Sequence, residues 1–182
     1  MRIFIAVEFS DEIKDYIYSV QQGIKKLSLK GNFSSKDNFH LTMRFIGEAS
    51  PRQVEKVKTA MKNVTEVCRK FNLETSELNH FKREDRKIIL MKIKKRDNLL
   101  DELYNKLEEQ LEIVGFEREG REFKPHITLG REVVLAEVYE DVKSKVELKS
   151  LNIEVKKISL MESTRINGKL IYIPRFVCEL KD

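Results

Sequence analysis

Residues 39–48 read FHLTMRFIGE, and residues 124–132 read KPHITLGRE. Each stretch holds His-x-Thr followed by an apolar residue, at His40-Leu41-Thr42-Met43 and at His126-Ile127-Thr128-Leu129. With only 3 His and 6 Thr in 182 residues, chance puts Thr two places after two of the three histidines about 0.3% of the time. Both stretches read as strands, in which residues i and i+2 share a face. His40, Thr42 and Arg44 are therefore expected on one face, with Leu41, Met43 and Phe45 behind them. His126 and Thr128 share a face in the same way, backed by Ile127 and Leu129. Each strand then offers an imidazole and a hydroxyl to one cleft. The tetrads stand 86 residues apart, nearly half the chain, which points to two similar lobes that each lend a strand to a shared groove.

Outward from the tetrads, RIFIAVEF (2–9) is a short apolar run and predicts a strand. Ser10, Asp11 and Glu12 open a helix, a hydroxyl cap followed by acids at the positive end of the dipole. Ile13, Tyr16, Val20, Ile24 and Leu27 then recur at helical spacing. Residues 28–38 are polar and read as loop. SPRQ (50–53) starts a second helix, with a Ser cap, Pro at the first position and Gln three places after the cap. Its apolar face carries Val54, Val57, Met61, Val64 and Cys68. Strands are expected over 71–79 and 87–95, a helix over 97–114, a strand over 124–130 and a short helix over 134–147. The end reads as a hairpin, with Leu151, Ile153 and Val155 in one strand, Asn167-Gly168 as the turn and 170–180 as the return. Pro174 puts that return strand at an edge or a bulge. Interleaved helices and clear hairpins, with no dividing linker, make this an α+β chain with antiparallel pairing, one domain over residues 1–182.

Composition excludes several classes. Hydrophobic residues make up 41%, and Gly and Pro number only 7 and 3, so the chain is not disordered. No apolar run approaches the roughly 18 residues that span a bilayer, and MRIFIAVEFSDE turns acidic too soon for a signal peptide. Two cysteines supply neither a disulfide framework nor a zinc ribbon. A soluble, cytoplasmic protein with no membrane partner is expected. The formal charge is +5, and residues 82–96 (KREDRKIILMKIKKR) hold eight basic and two acidic side chains. All the excess positive charge therefore sits in one segment. It reads either as an approach for an anionic partner or, more simply, as a strand edge guarded by lysines.

Two histidines facing one space suit general acid–base chemistry near neutral pH. Threonine hydroxyls beside them can donate to phosphate oxygens or fix the rings. Neither a Walker-type loop nor a dinucleotide fingerprint is present, and the histidines and cysteines lack metal-ligand spacing. The paired tetrads, RIFIAVEF, and the late LMES and YIP segments in this order resemble the two-histidine phosphoesterase superfamily. The fuller resemblance is to its RNA 2′,3′-cyclic phosphodiesterase branch, the LigT-like 2′-5′ RNA ligase family. That resemblance implies a bilobal fold with pseudo-symmetric lobes around a central cleft. It implies metal-independent, cofactor-free opening of a terminal 2′,3′-cyclic phosphate to a 2′-phosphomonoester, with reversible 2′-5′ joining in some members. His40 falls on the family's proton donor and His126 on its proton acceptor, a division that the sequence alone does not assign. Thr42 and Thr128 fall on its phosphate-contacting threonines and Arg131 on a basic phosphate contact. Arg131 lies three places beyond Thr128, so it reaches the cleft only if Gly130 allows a bend or bulge. Arg44 is a phosphate candidate from strand geometry, or else a structural partner for a neighbouring acid.

The expected partner is RNA with a cyclic phosphate end, tRNA fragments included, and the expected state is a monomer. A second reading is an RNA-end or tRNA binding protein with vestigial hydrolysis. His80 is expected in a loop, in a solvent-facing or structural role. Phe81 is a candidate for stacking on a base or for the core. Tyr172 and Arg165 flank the last turn, either to reach a ribose or phosphate or, for Tyr172, to pack within the hairpin. Phe4, Phe9 and Phe45 are expected in the core.

Overall fold

The computed structural model describes residues 1–182, the side chain of Arg83 excepted. In chain order the elements are β1 (Arg2–Glu8), α1 (Asp11–Lys26), β2 (Ser28–Phe33), a short 3-10 turn (Lys36–Asn38), β3 (His40–Glu48) and α2 (Pro51–Thr65). They continue with β4 (Phe71–Arg83), β5 (Arg86–Lys95), α3 (Leu99–Ile113), β6 (His126–Leu135), α4 (Tyr139–Lys145), β7 (Asn152–Val155), β8 (Lys157–Ile166) and β9 (Lys169–Glu179). The strands form two sheets, ordered β3-β1-β8-β9 and β2-β6-β5-β4-β7. All their pairings are antiparallel. None of the described helices is long and apolar enough to cross a membrane.

Local chemistry accounts for the helix starts. Ser10 Oγ accepts from the Ile13 amide at the head of α1. Ser50 and Gln53 exchange both hydrogen bonds of a capping box at the head of α2. Strand β1 lies inside its sheet and is covered on both faces. Ile3, Ile5 and Val7 enter the main apolar core, while Phe4 and Ala6 join Met161 in a small cluster on the other face. Each fully buried Ile there contributes about 1.5–3 kcal/mol. Helices α2 and α3 pack together, with α2 against β8 and β9, and α1 lies against β2 and β6.

Four readings change. Residues 28–33 are a strand, not a loop: SLKGNF forms the irregular edge of the five-stranded sheet, with Leu29 73% exposed. The helix expected over 134–147 shrinks to α4, because β6 runs on through Leu135. Strand β7 does not belong to the final hairpin. It pairs with β4, and the chain passes to the other sheet across one residue, Lys156. The hairpin is β8 and β9, closed at Asn167-Gly168, where both φ angles are positive. Pro174 sits on an edge strand beside a register shift, and both placements suit a residue without an N–H.

The basic segment is the fourth. Strand β5 is interior, so it is not a guarded edge. Five cations of the segment are held by acids: Arg86 by Glu132, Lys92 by Glu77, Lys95 by Asp101, and both Lys94 and Arg96 by Glu74. Four acids from neighbouring elements thus offset most of the segment's local excess of positive charge.

Two bulges decide which side chains meet the cleft. On β3, Ile5 pairs with Arg44 and Ala6 with Thr42, so Met43 is an extra residue. On β6, Leu90 pairs with Thr128 and Ile89 with Gly130, so Leu129 is extra. An extra residue inverts the alternation beyond it. A side chain at Gly130 would be crowded: an added Cβ would stand 3.0 Å from both Phe33 Cδ1 and Val133 Cγ2, and those side chains would have to shift. Gly130→Ala is therefore expected to cost about 1–3 kcal/mol through overpacking. Urea unfolding of the intact and variant proteins checks this.

Candidate active site

A cavity of about 950 Å³ opens between the sheets. His40 and Thr42 stand on its β3 wall, and His126, Thr128 and Arg131 on its β6 wall. The structure thus brings five of the six sequence-selected residues to one space. Arg44 is the exception. The extra residue at Met43 turns it to the helix side, where its Nε lies 2.8 Å from Glu108 Oε1 of α3. Both side chains are buried, at 12% and 6% exposure. The guanidinium also reaches Glu119 and the Glu117 carbonyl. Arg44 is a structural partner of acids, not a cleft residue. The same inversion brings Phe45, expected in the core, to the cavity wall at 46% exposure. Phe4 and Phe9 are buried as expected.

The two histidines are held alike. His40 Nδ1 lies 2.7 Å from the Asn38 carbonyl, and His126 Nδ1 lies 2.6 Å from the Lys124 carbonyl. A carbonyl only accepts, so each Nδ1 carries the proton and each Nε2 presents a lone pair. The Thr42 hydroxyl donates to the neutral His40 Nε2 over 2.8 Å. Gln21, buried on α1, donates to the Ser34 and Leu129 carbonyls at 2.8 Å and so bolts the second tetrad to its neighbours.

Their surroundings differ. Phe4 and Tyr172 box in the His40 ring, at centroid distances of 4.8 and 5.2 Å. Burial is the main force that lowers the His40 pKa from 6.5 to about 4, and the charges of His126 and Arg131 push it the same way. The bond to Asn38 and the Glu8 carboxylate act in the opposite direction. Unfolded chains therefore take up a proton that the folded protein refuses between these pH values. Stability is full above about pH 6.5 and is expected to fall by about 3 kcal/mol as pH drops to about 4. Urea unfolding at several pH values should show this slope, and His40→Asn should flatten it.

Among the described residues Arg131 forms no ion pair, so its charge is open to the cavity. Arg2, Arg121 and Arg165 add cationic groups to the wall. The Arg2 guanidinium stands 5.1 Å from the centre of the Phe45 ring. Sequence reasoning missed Arg2, Asn38 and Arg121. Arg2 was within reach, because it shares a strand face with Phe4. Tyr172 and Arg165 both line the cavity, and Tyr172 also packs against the small cluster of Phe4, Ala6 and Met161. His80 lies in β4 rather than a loop, packed on Tyr139 at 4.1 Å.

Comparison with known proteins places this geometry. The family model described as the 2′-5′ RNA ligase superfamily matches residues 11–167. The chain belongs to the 2′-5′ RNA ligase superfamily. Among relatives of this superfamily, the RNA 2′,3′-cyclic phosphodiesterase of Methanocaldococcus jannaschii is 29% identical, over 94% of this chain and 96% of its own. The enzyme of the same name from Thermotoga maritima is 24% identical, over 100% and 96%. The fold is shared with a Thermus thermophilus protein of TM-score 0.83 and 21% identity, covering 100% of this chain and 98% of the other. It is also shared with Escherichia coli LigT complexed with 3′-AMP, of TM-score 0.79 and 22% identity, with the same coverage.

Proposed function

We propose that the protein hydrolyses RNA 2′,3′-cyclic phosphate ends to 2′-phosphomonoesters in the cytoplasm, by acid–base catalysis between His40 and His126. The observation that carries this reading is the pair of Nδ1-anchored imidazoles in one cavity with the unpaired charge of Arg131. The names of the curated relatives and the nucleotide complex of LigT support it.

In this mechanism the cyclic phosphate lies between the two histidines. His126 Nε2 takes a proton from water, whose oxygen attacks phosphorus in line with the P–O3′ bond. That bond breaks, and His40 Nε2 gives its proton to O3′. Thr42, Thr128 and Arg131 stabilise the charge that builds on the non-bridging oxygens. His40 must hold a proton that its apolar box disfavours. The substrate's own negative charge, brought against the ring, raises its affinity for that proton. Phe45 and Tyr172 offer faces on which the terminal base can stack.

The test offers 2′,3′-cyclic AMP and an RNA with a cyclic phosphate end, with EDTA present. The expected product is the 2′-phosphate alone. Binding of both without turnover would leave an RNA-end binding protein instead. A 3′-phosphate product, or activity lost on chelation, would overturn the mechanism.

A further inference from the structure

The β8–β9 hairpin runs past the sheet to which it belongs. Strand β1 pairs with β8 only along 159–162. Among the described residues, 163–166 and 169–172 pair only with each other, as a two-stranded ribbon. Such a ribbon is marginal in water by itself. Residues 165–170 are all exposed, so packing does little to hold its end. Yet Tyr172 stands on this ribbon and walls in the general-acid candidate. Its ring meets those of Phe4 and His40 edge-on, with centroids 4.9 and 5.2 Å apart.

A hold on the ribbon comes from the far edge of the same sheet. Strands β3 and β9 are the two edges of the four-stranded sheet, and Asn38 lies two places before His40, at the head of β3. Asn38 Nδ2 donates to the Leu170 carbonyl over 2.9 Å. Among the described residues this is the only side-chain hydrogen bond that reaches 163–172 from the rest of the protein. The turn that carries Asn38 is itself fixed from behind. Lys36 pairs with Asp15 of α1, and Lys14 Nζ donates to the Asp37 carbonyl.

We infer that Asn38 is a positioning residue, whose side chain latches the free end of the hairpin across the sheet and so keeps water from the His40 ring. The inference deepens the phosphodiesterase reading, because this ring is that reading's acid. Asn38 then acts twice on one imidazole. Its backbone carbonyl orients the ring through Nδ1, and its side chain draws Tyr172 over it. The Asn38→Ala change separates the two, since it keeps the carbonyl and removes the donor. The groups that face the ring are Glu8 of β1, His126 and Arg131 of β6, and Tyr172 of β9. All of them survive the change. Burial is the largest force on His40, so a lifted ribbon lets water reach and favour the charged ring.

The test is an NMR pH titration of the imidazole signals of the intact and Asn38→Ala proteins. With 3 histidines in the chain, each signal can be followed alone. The His40 midpoint, about 4 in the intact protein, should rise above about 5 in the variant. His80, packed on Tyr139 away from the ribbon, should not move. Amides of 163–172 should exchange with deuterium at least about tenfold faster, with those of β1 unchanged. The ring 15N shifts should still report the Nδ1–H form. An unmoved His40 midpoint overturns the inference, and so does unchanged exchange in the ribbon. Loss of the Nδ1–H form overturns it too, for it would confine the part of Asn38 to the turn. The phosphodiesterase reading is judged separately, by the pH profile of kcat/KM on 2′,3′-cyclic AMP. Its acidic limb should rise with the His40 midpoint. A limb that stays while the midpoint moves defeats the acid–base reading and leaves the latch standing.

Discussion

Replacing His126 by alanine is expected to cut kcat on 2′,3′-cyclic AMP by about 10²–10⁴-fold, and His40→Ala should do the same. The two rings act on one phosphorus from opposite sides, so the double variant should fall little below either single one. Binding separates the roles from folding. Both variants keep Arg131 and the threonines, so 2′-AMP should still bind within about tenfold of the intact protein. A variant that retains turnover while its partner loses it would mean that only one histidine moves a proton. Equal losses of turnover and of 2′-AMP affinity would mean that the rings hold the phosphate rather than work on it.

The second large effect falls on stability. Arg44→Met leaves the buried Glu108 carboxylate of α3 without its close partner, and the protein should lose about 3–5 kcal/mol. Pairing Arg44→Met with Glu108→Leu removes both charges and should recover most of that loss. Arg131→Met is expected to behave in the opposite way. Its stability should stay within about 1 kcal/mol of the intact protein, while kcat falls about 10²–10³-fold. Chemical unfolding and initial rates on the same preparations check the contrast. A stable, inactive Arg44→Met protein would reverse the assignment of the two arginines.

These two arginines also mark how far a sequence can be read. Both tetrads fall at strand starts with their His and Thr turned to one cavity, because local alternation is enough to orient a short segment. Alternation fails one residue later. The extra residues at Met43 and Leu129 lie in unbroken apolar–polar patterns, and only the partner strands reveal the slip. Arg44 and Phe45 therefore exchange faces against expectation, while Arg131 returns to the cleft as a bulge beside Gly130 requires. Strand β2 was illegible for a different reason: SLKGNF is polar, and its strand character comes from pairing with β6. The crossing at Lys156 did leave a trace. Buried apolar residues fall at 153 and 155 and then at 158 and 160, a change of phase that marks a new strand rather than a longer one. The basic segment misled because charge was counted along the chain, while its acids come from β4, β6 and α3.

The single residue between β7 and β8 has a mechanical meaning. Lys156 ties the two sheets with no slack, and nearby the Lys70 amide donates to the Lys181 carbonyl while the Lys181 amide donates to that of Cys68. These ties form a spine, like that of a book whose facing pages carry His40 and His126. The pages also share one apolar core, to which Ile3 and Leu41 of one sheet and Met91 and Ile127 of the other belong. The span between the two imidazoles is therefore set by the packing of the whole fold, far from the cavity itself.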